Sequence, residues 1–181
     1  MNFSPALKSH QPRTEQIILF RISGQNFAIS SAAVQEVRSV DNIAGMAREL
    51  PESPIAKVRH SIRRGDRTQY IVNGAVHFGL QPQPASLVFF LRRTRTALLI
   101  DGIDKMTTMS RLQALSLAFQ GEERNWYRGL TALDQTVIPV IQPEGFLSLQ
   151  ELSLLESVQQ SADARADRRA DTSQLQGTAP Q

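Results

Sequence analysis

Residues 16–29 read QIILFRISGQNFAI, and this stretch decides the fold. Its first half is rich in β-branched and aromatic side chains, which favour extended strands. Residues 23–26 then supply turn chemistry, and Phe27 resumes the apolar pattern. Two apolar runs around such a turn predict a β-hairpin. The first run is apolar at nearly every position, so we expect both faces of its strand to be covered by protein.

A second hairpin of the same design is predicted later in the chain. Residues 87–100 read LVFFLRRTRTALLI, two apolar runs around a polar turn. Ile18 and Val88 occupy comparable places in the two hairpins and are 70 positions apart. This spacing suggests two similar halves, each a small barrel of about five short strands, since closing a sheet removes its exposed edges. The alternative is that the two hairpins are alike only because hairpins in general share this pattern.

Further elements follow from shorter patterns. Strands are predicted at 37–40, 55–58, 69–72, 103–107, 127–133 and 136–141, the last two joined as a third hairpin by a turn at 134–136. Ser30 and Ser31 can cap a short helix over 32–36. Apolar residues between 147 and 158 recur loosely every 3.6 positions and predict a C-terminal helix at about 148–160.

The two ends of the chain differ in composition from its middle. Residues 1–15 have no periodic apolar pattern, and residues 159–181 are rich in alanine and charge. Such segments cannot bury enough apolar surface to fold by themselves. We therefore expect one folded domain over 16–158, between a flexible tail at 1–15 and a disordered tail at 159–181.

Composition excludes several classes of protein. Hydrophobic residues make up 41% of the 181 positions, yet no apolar run approaches the ~20 residues of a membrane helix. The N-terminus lacks a signal-peptide pattern, so we expect a cytoplasmic protein that does not insert into the membrane. The absence of cysteine excludes disulfides, zinc–thiolate sites, iron–sulfur clusters and a cysteine nucleophile. The formal net charge of +3 favours acidic partners but is too small to demand nucleic acid.

No catalytic or metal-binding motif is apparent. His10, His60 and His77 lack the spacing of metal ligands, and His77 is expected to face outward from a strand. Residues 101–104 read DGID, which resembles part of a calcium loop but lacks the later oxygen donors and so predicts a turn. The glycines form no phosphate-cradling run. We expect no enzymatic activity, no cofactor and no metal.

The main concentration of charge is a group of basic side chains: Lys57, Arg59, Arg63, Arg64 and Arg67. One interpretation is a solvated face. Another is a docking surface, because arginine forms charge-assisted, bidentate hydrogen bonds at interfaces. A basic small-barrel nucleic-acid binder is a further alternative, but it would need interleaved aromatic residues for base stacking, and only Tyr70 is near.

Several stretches together resemble the CheW coupling proteins of bacterial chemotaxis. They are FRISGQNFAI at 20–29, VQEVR at 34–38, LIDGIDKM at 99–106, YRGL at 127–130, VIPVI at 137–141, and the start of a terminal helix at 143–149. Each stretch alone is weakly specific. Their order and spacing over about 16–158 are together much more specific.

The resemblance implies both a fold and a function. The implied fold is all-β, with two five-stranded SH3-like β-barrels that share a core, short helices and a C-terminal helix. The implied function is that of a non-enzymatic adaptor, peripheral to membrane receptor arrays, which couples the cytoplasmic tip of methyl-accepting chemoreceptors to a CheA-type histidine kinase. Matched positions assign receptor binding to Val34, Glu36, Val37, Arg64 and Gly65, and a looser correspondence assigns kinase binding to Leu87 and Phe119.

One region departs from the family pattern. Where the family usually reads Asn-Leu-Arg-Gly, residues 62–65 read IRRG, so only Arg64 and Gly65 match. The following strand, 68–73, lacks the usual proline and aspartate. The departure suggests a specialised pathway, such as twitching motility, or a degenerate copy.

Overall fold

The computed structural model describes residues 14–50 and 52–175, and from residue 165 onward its backbone alone. The predicted tail residues 1–13 and 176–181 lie outside the described residues. The strands are β1 (Glu15–Ile22), β2 (Gln25–Ser30), β3 (Val34–Ser39), β4 (Ala47–Glu49), β5 (Val58–Arg64), β6 (Arg67–Asn73), β7 (Leu87–Leu91), β8 (Thr96–Ile100), β9 (Gly102–Met109), β10 (Tyr127–Leu133) and β11 (Thr136–Ile141). The α-helices are α1 (Val40–Ile43), α2 (Gly74–His77) and α3 (Leu149–Leu175), and single 3₁₀ turns occur at Ser31–Ala33, Glu122–Trp126 and Pro143–Gly145.

The first sheet has five strands in the order β10-β11-β2-β1-β9. An ion pair between strands that are not neighbours shows that this sheet curls. Arg128 of β10 forms a bidentate ion pair with Glu15 of β1, at 2.8 and 3.0 Å, although β11 and β2 lie between these strands in the sheet. The chain that leaves β9 also pairs with the opposite end of the sheet, since Gln113 forms an antiparallel bridge with Leu130 of β10. The two outer strands are thereby linked.

The second sheet has six strands in the order β3-β7-β8-β6-β5-β4. Its end strands β3 and β4 are connected directly by residues 40–46, which include α1. Because four of these residues are coiled in α1, the connection is shorter than the roughly 24 Å across six flat strands, so the sheet must bend back on itself. The sequence predicts five strands in this half, and the sixth is the short β4, whose Arg48 pairs with Ser61 of β5.

Three apolar clusters form the core, and one of them is shared by the two sheets. Strand β1 shows how they arise. Ile18 and Phe20 face a large core shared by the two sheets, whereas Ile17 and Leu19 face a smaller core inside the first sheet. The strand β7 divides in the same way between the shared core and a core inside the second sheet. Successive side chains of a strand point to opposite faces, so both faces of β1 are covered, as the sequence predicts.

All three predicted hairpins are present. Ser23 and Gly24 turn β1 into β2 with φ angles of 49° and 74°, and Asp134 and Gln135 turn β10 into β11 with 47° and 64°. Two central residues with positive φ are typical of the type I′ turns that match the twist of a hairpin. The prediction of a mostly β, CheW-like fold with two β units, short helices and a C-terminal helix is confirmed.

Some local predictions are wrong. The helix predicted over 32–36 is reduced to the 3₁₀ turn at Ser31–Ala33, because β3 already begins at Val34, which pairs with Leu91. The strand predicted at 55–58 begins only at Val58, and Ile55 lies in the turn before it, where its carbonyl accepts a hydrogen bond from the Val58 N–H at 2.9 Å. Burial of an apolar side chain, which the pattern detects, does not by itself make a strand.

His77 is also placed differently from the prediction. It belongs to α2, a single helical turn capped by the Asn73 side chain, which accepts a hydrogen bond from the Val76 N–H at 3.2 Å. His77 is 6% exposed and packs against aromatic rings. The helical turn rotates the imidazole inward, whereas the alternation of a strand would place it outward.

The C-terminal helix is longer than the apolar period predicts, since α3 continues to Leu175. Leu152 and Leu155 in its early turns pack on the shared core. Farther along, the Gln159 side chain donates to Thr68 Oγ1 at 3.2 Å, and Asp163 pairs with Arg48 of β4. Polar contacts with the second sheet therefore extend the docking of the helix beyond its apolar residues.

Candidate docking surface

Glu36 on β3 is the centre of an ion-pair cluster. Its two carboxylate oxygens accept hydrogen bonds from the guanidinium groups of Arg38, on the same strand, and Arg64, at the end of β5. The hydrogen bond from Arg38, together with the charges of Arg64 and Arg38, holds the pKa of Glu36 below its usual value against the opposing effect of desolvation. Because β3 and β5 lie near opposite ends of the sheet, the cluster depends on the sheet's curl.

Arg64 is fixed by a second contact. Its guanidinium carbon lies 4.5 Å from the ring centroid of Phe90, a cation–π distance. Gly65 follows with φ of 61°, a backbone conformation that suits glycine at the turn between β5 and β6. The side chain of Arg64 remains 30% exposed, so a positive group of defined orientation faces outward at this edge.

A β-bulge at Gln35 determines which β3 side chains reach the surface. Val34 pairs with Leu91 and Glu36 with Phe90, so two residues of β3 oppose one step of β7. Val34 is 8% exposed and belongs to the shared core, whereas Val37 is 39% exposed. Val34 therefore has a packing role and cannot offer its own side chain to a partner.

The structure thus joins four of the five residues assigned to receptor binding at one edge of the second sheet. Glu36 contacts Arg64 directly, Val37 follows Glu36 on β3, and Gly65 follows Arg64 in the turn. We call Glu36, Val37, Arg64 and Gly65 the β3 edge surface.

The two residues assigned to kinase binding lie on different parts of the molecule. Leu87 begins β7 in the second sheet, where it pairs with Ser39 and packs partly against the shared core. Phe119 lies in the loop before β10, and its ring contacts the Tyr127 ring edge to face at 6.4 Å between centroids. Leu87 thus belongs to the second sheet and Phe119 to a loop that leads into the first, so their shared role stays a prediction.

A cavity of about 530 Å³ adjoins the β3 edge surface, and we call it the arginine cavity. Six arginines line it: Arg38, Arg63, Arg64, Arg67, Arg93 and Arg95. Sequence reasoning grouped three of them with Arg59, which is exposed on β5 outside the cavity wall. It missed Arg38, Arg93 and Arg95, because only the pairing of β3, β7 and β8 brings them close. The run RRTR at 92–95 could have indicated Arg93 and Arg95, whereas no local pattern indicates Arg38.

A second cavity of about 670 Å³ lies where the start of α3 meets the two 3₁₀ turns before it and the β7–β8 turn. Trp126, which lines this cavity, also packs on the buried His77 ring at 4.4 Å between centroids. Burial, with a smaller effect from the charge of Lys57, lowers the pKa of His77 to about 3, so the imidazole is neutral at pH 7. Its Nε2 has no hydrogen-bond partner among the residues that the structure describes.

The described residues contain neither a cluster of metal-binding side chains nor a helix suited to crossing a membrane. Within 14–50 and 52–175, no group of three or more histidine, cysteine or acidic side chains could hold a metal ion. None of the helices in these ranges is both long enough and apolar enough to cross a membrane.

Comparison with known families identifies the fold. The model of the CheW-like domain matches residues 16–151, most of the chain. The chain belongs to the CheW-like domain family. The match covers every strand of both sheets except the first residue of β1, and it ends in the first turn of α3.

This CheW-like chain is also similar to individual proteins. It is 27% identical over 155 residues to a protein of Rhizobium etli described as a probable chemotaxis protein CheW, a match that covers 82% of this chain and 97% of the relative. Among solved structures it resembles the scaffolding protein TtCheW from Thermoanaerobacter tengcongensis, with a TM-score of 0.63, 13% identity, and coverage of 81% of this chain and 96% of that one. At that identity the structural likeness shows the shared fold.

Proposed function

We propose that this protein is a non-enzymatic scaffold of chemotaxis-type signalling, which couples the cytoplasmic tip of a chemoreceptor to a CheA-type histidine kinase. The observation that supports this most directly is the family match over 16–151. The ion-pair cluster of Glu36, Arg38 and Arg64 at one edge of the second sheet adds an ordered surface for a partner. The Rhizobium etli relative, described as a chemotaxis protein, supports the same pathway. Such a protein would act by holding two partners in a fixed geometry, with a coupling free energy between its binding surfaces.

The β3 edge surface is the proposed receptor contact. Val37 offers an exposed apolar side chain one residue along β3 from Glu36, on the opposite face of the strand, and Glu36 and Arg64 supply fixed charges. An arginine already oriented by a carboxylate and an aromatic ring loses little freedom when it bonds a partner's carboxylate or carbonyl oxygen. This surface is small, so we expect weak pairwise binding that becomes tight only when several partners assemble together.

Leu87 and Phe119 are proposed to contact the kinase. Both side chains are half-buried, and each packs at one end against residues of the fold. Separate receptor and kinase contacts are what a scaffold requires, because both partners must be bound at the same time. A Leu87→Asp variant should lose kinase binding and keep receptor binding if the two contacts are independent.

The alternative of a nucleic-acid binder receives little support from the aromatic residues. Tyr70, which the sequence places near the arginines, is 0% exposed, and Phe90 under Arg64 is 1% exposed. Neither ring can stack on a base without local unfolding. A gel shift with single-stranded and duplex DNA at low salt would test the alternative, and a complex that weakens steeply with salt would support it.

The receptor contact can be tested with two variants of equal charge change. Arg64→Glu removes an oriented cation and places a second carboxylate beside Glu36, so we expect capture by the immobilised receptor tip to fall at least about tenfold. Arg59→Glu changes the same strand at an exposed side chain outside the cluster and should bind normally. If circular dichroism shows both variants to be folded and Arg64→Glu is captured as well as Arg59→Glu, the β3 edge surface is refuted as the receptor contact.

A further inference from the structure

The arginine cavity carries more positive charge than the ion pairs of the fold neutralise. Among the described residues, Glu36 pairs with Arg38 and Arg64, and Glu156 of α3 pairs with Arg95. Six guanidinium groups against these two carboxylates leave an excess of four positive charges in the wall.

Three of these four charges belong to arginines without an ion pair, and the fourth arises because Arg38 and Arg64 share Glu36. Arg63, Arg67 and Arg93 are exposed and form no ion pair with any side chain that the structure describes. Asp66 lies in the β5–β6 turn beside them but is exposed and does not line the cavity. Arginine at this density presents several planar forks of N–H donors, the geometry that suits phosphate groups.

The cavity wall is organised before any ligand arrives. Arg95 donates from Nε to the Thr68 carbonyl at 3.1 Å, lies over the Tyr70 ring at 5.3 Å, and pairs with Glu156. Arg64 is held between Glu36 and Phe90. A cavity of about 530 Å³ falls within the ~300–1,000 Å³ of small-molecule sites, which favours a compact ligand over an extended peptide.

We propose that the arginine cavity binds a phosphorylated small molecule of nucleotide size. Arg63, Arg67 and Arg93 would hold its phosphates. The binding requires neither a receptor nor a kinase, so it goes beyond the scaffold function and can fail or succeed independently of it.

Isothermal titration of the full chain with ATP and, separately, with inorganic tripolyphosphate tests the proposal. We expect saturable one-to-one binding of both at about 50 mM salt, which weakens as salt rises. The double variant Arg67→Glu with Arg93→Glu should bind both ligands at least tenfold more weakly. The matched control, Arg59→Glu with Arg111→Glu, makes the same change in net charge at exposed arginines outside the wall and should change the affinity less than twofold.

Three results would overturn the site itself. They are the absence of saturable binding up to millimolar ligand, equal loss in the control double variant, and binding only to vesicles that contain phosphatidylglycerol. The last would assign the arginines to a lipid headgroup surface. A melting temperature measured with and without ligand shows that each variant is folded, and it should rise with ATP only where the affinity survives.

Discussion

The buried imidazole of His77 makes the stability of this protein depend on pH in a range where few other groups titrate. Burial lowers the pKa of His77 to about 3 in the folded state, whereas an unfolded chain has a histidine pKa near 6.5. At pH values between 3 and 6.5, the unfolded state therefore binds a proton on this histidine that the folded state does not bind. Stability is fully present above about pH 6.5 and is lost as pH falls towards 3.

The size of the effect follows from the difference between the two pKa values. Between pH 7.5 and pH 5, protonation of the unfolded histidine should lower the free energy of unfolding by about 2 kcal/mol. Any folded-state pKa below about 4.5 gives nearly the same loss, because the folded imidazole stays neutral over this range. Glu15 and Glu36, whose pKa values are lowered by their arginine partners, lose their stabilising contribution only below about pH 4.5.

Urea unfolding at pH 5, 6 and 7.5, followed by circular dichroism, measures this loss. His77→Leu removes the titrating group together with its unpaired Nε2. Between pH 7.5 and 5, the free energy of unfolding of the wild type should therefore fall by about 2 kcal/mol more than that of this variant. His60→Gln changes an exposed histidine on β5 and should leave the pH dependence of the wild type intact. A wild-type stability that is constant from pH 7.5 to 5, or a His77→Leu variant that keeps the full dependence, would show that the imidazole is not buried as the fold requires.

Three further predictions concern the contacts that hold the fold together. Gly145→Ala would place a Cβ against the carbonyl oxygen of Asn125 and should destabilise the fold by about 1–3 kcal/mol in urea unfolding, whereas Gly45→Ala, with open space around it, should change stability by less than about 0.5 kcal/mol. Leu155→Ala removes a fully buried side chain that anchors α3 and should cost about 2–4 kcal/mol, against a much smaller cost for the 45% exposed Leu154→Ala; equal costs would contradict the docking of the helix. Glu15→Gln should cost up to about 1 kcal/mol at pH 7, since its ion pair with Arg128 is about one-third exposed. That cost should shrink as pH falls below about 4.5 and disappear once the folded carboxyl, whose pKa is lowered by Arg128, is protonated; a cost that does not shrink with pH would indicate a packing effect instead.

The sequence determined the strands that are continuous in apolar character. The runs at 17–22 and 87–91 are apolar on both faces, and each proved to lie between an inner core and the shared core. The turns at 23–24 and 134–135 could also be predicted from the sequence, because a two-residue turn with positive φ favours particular residue types. These are local properties, fixed by neighbours along the chain.

Where local and tertiary preferences conflict, the sequence was a poor guide. The β3 segment resembles a capped helix, yet its pairing with β7 and burial of Val34 make it a strand. His77 resembles one residue of an alternating strand, yet the Asn73 cap starts a helical turn that buries it. In both cases contacts from distant parts of the chain exceed the small differences in local propensity.

The candidate sites divide in the same way. The sequence by itself supplied Glu36 and Arg64 as residues that match a family pattern, and it supplied the basic character of 57–67. Only the tertiary structure decided that Glu36 meets Arg64 across a curled sheet, that Val34 is unavailable, and that Arg93 and Arg95 join one cavity with Arg67. The physical reason is that charge acts over a few ångströms in space, and the pairing of strands far apart in the chain sets which charges come that close.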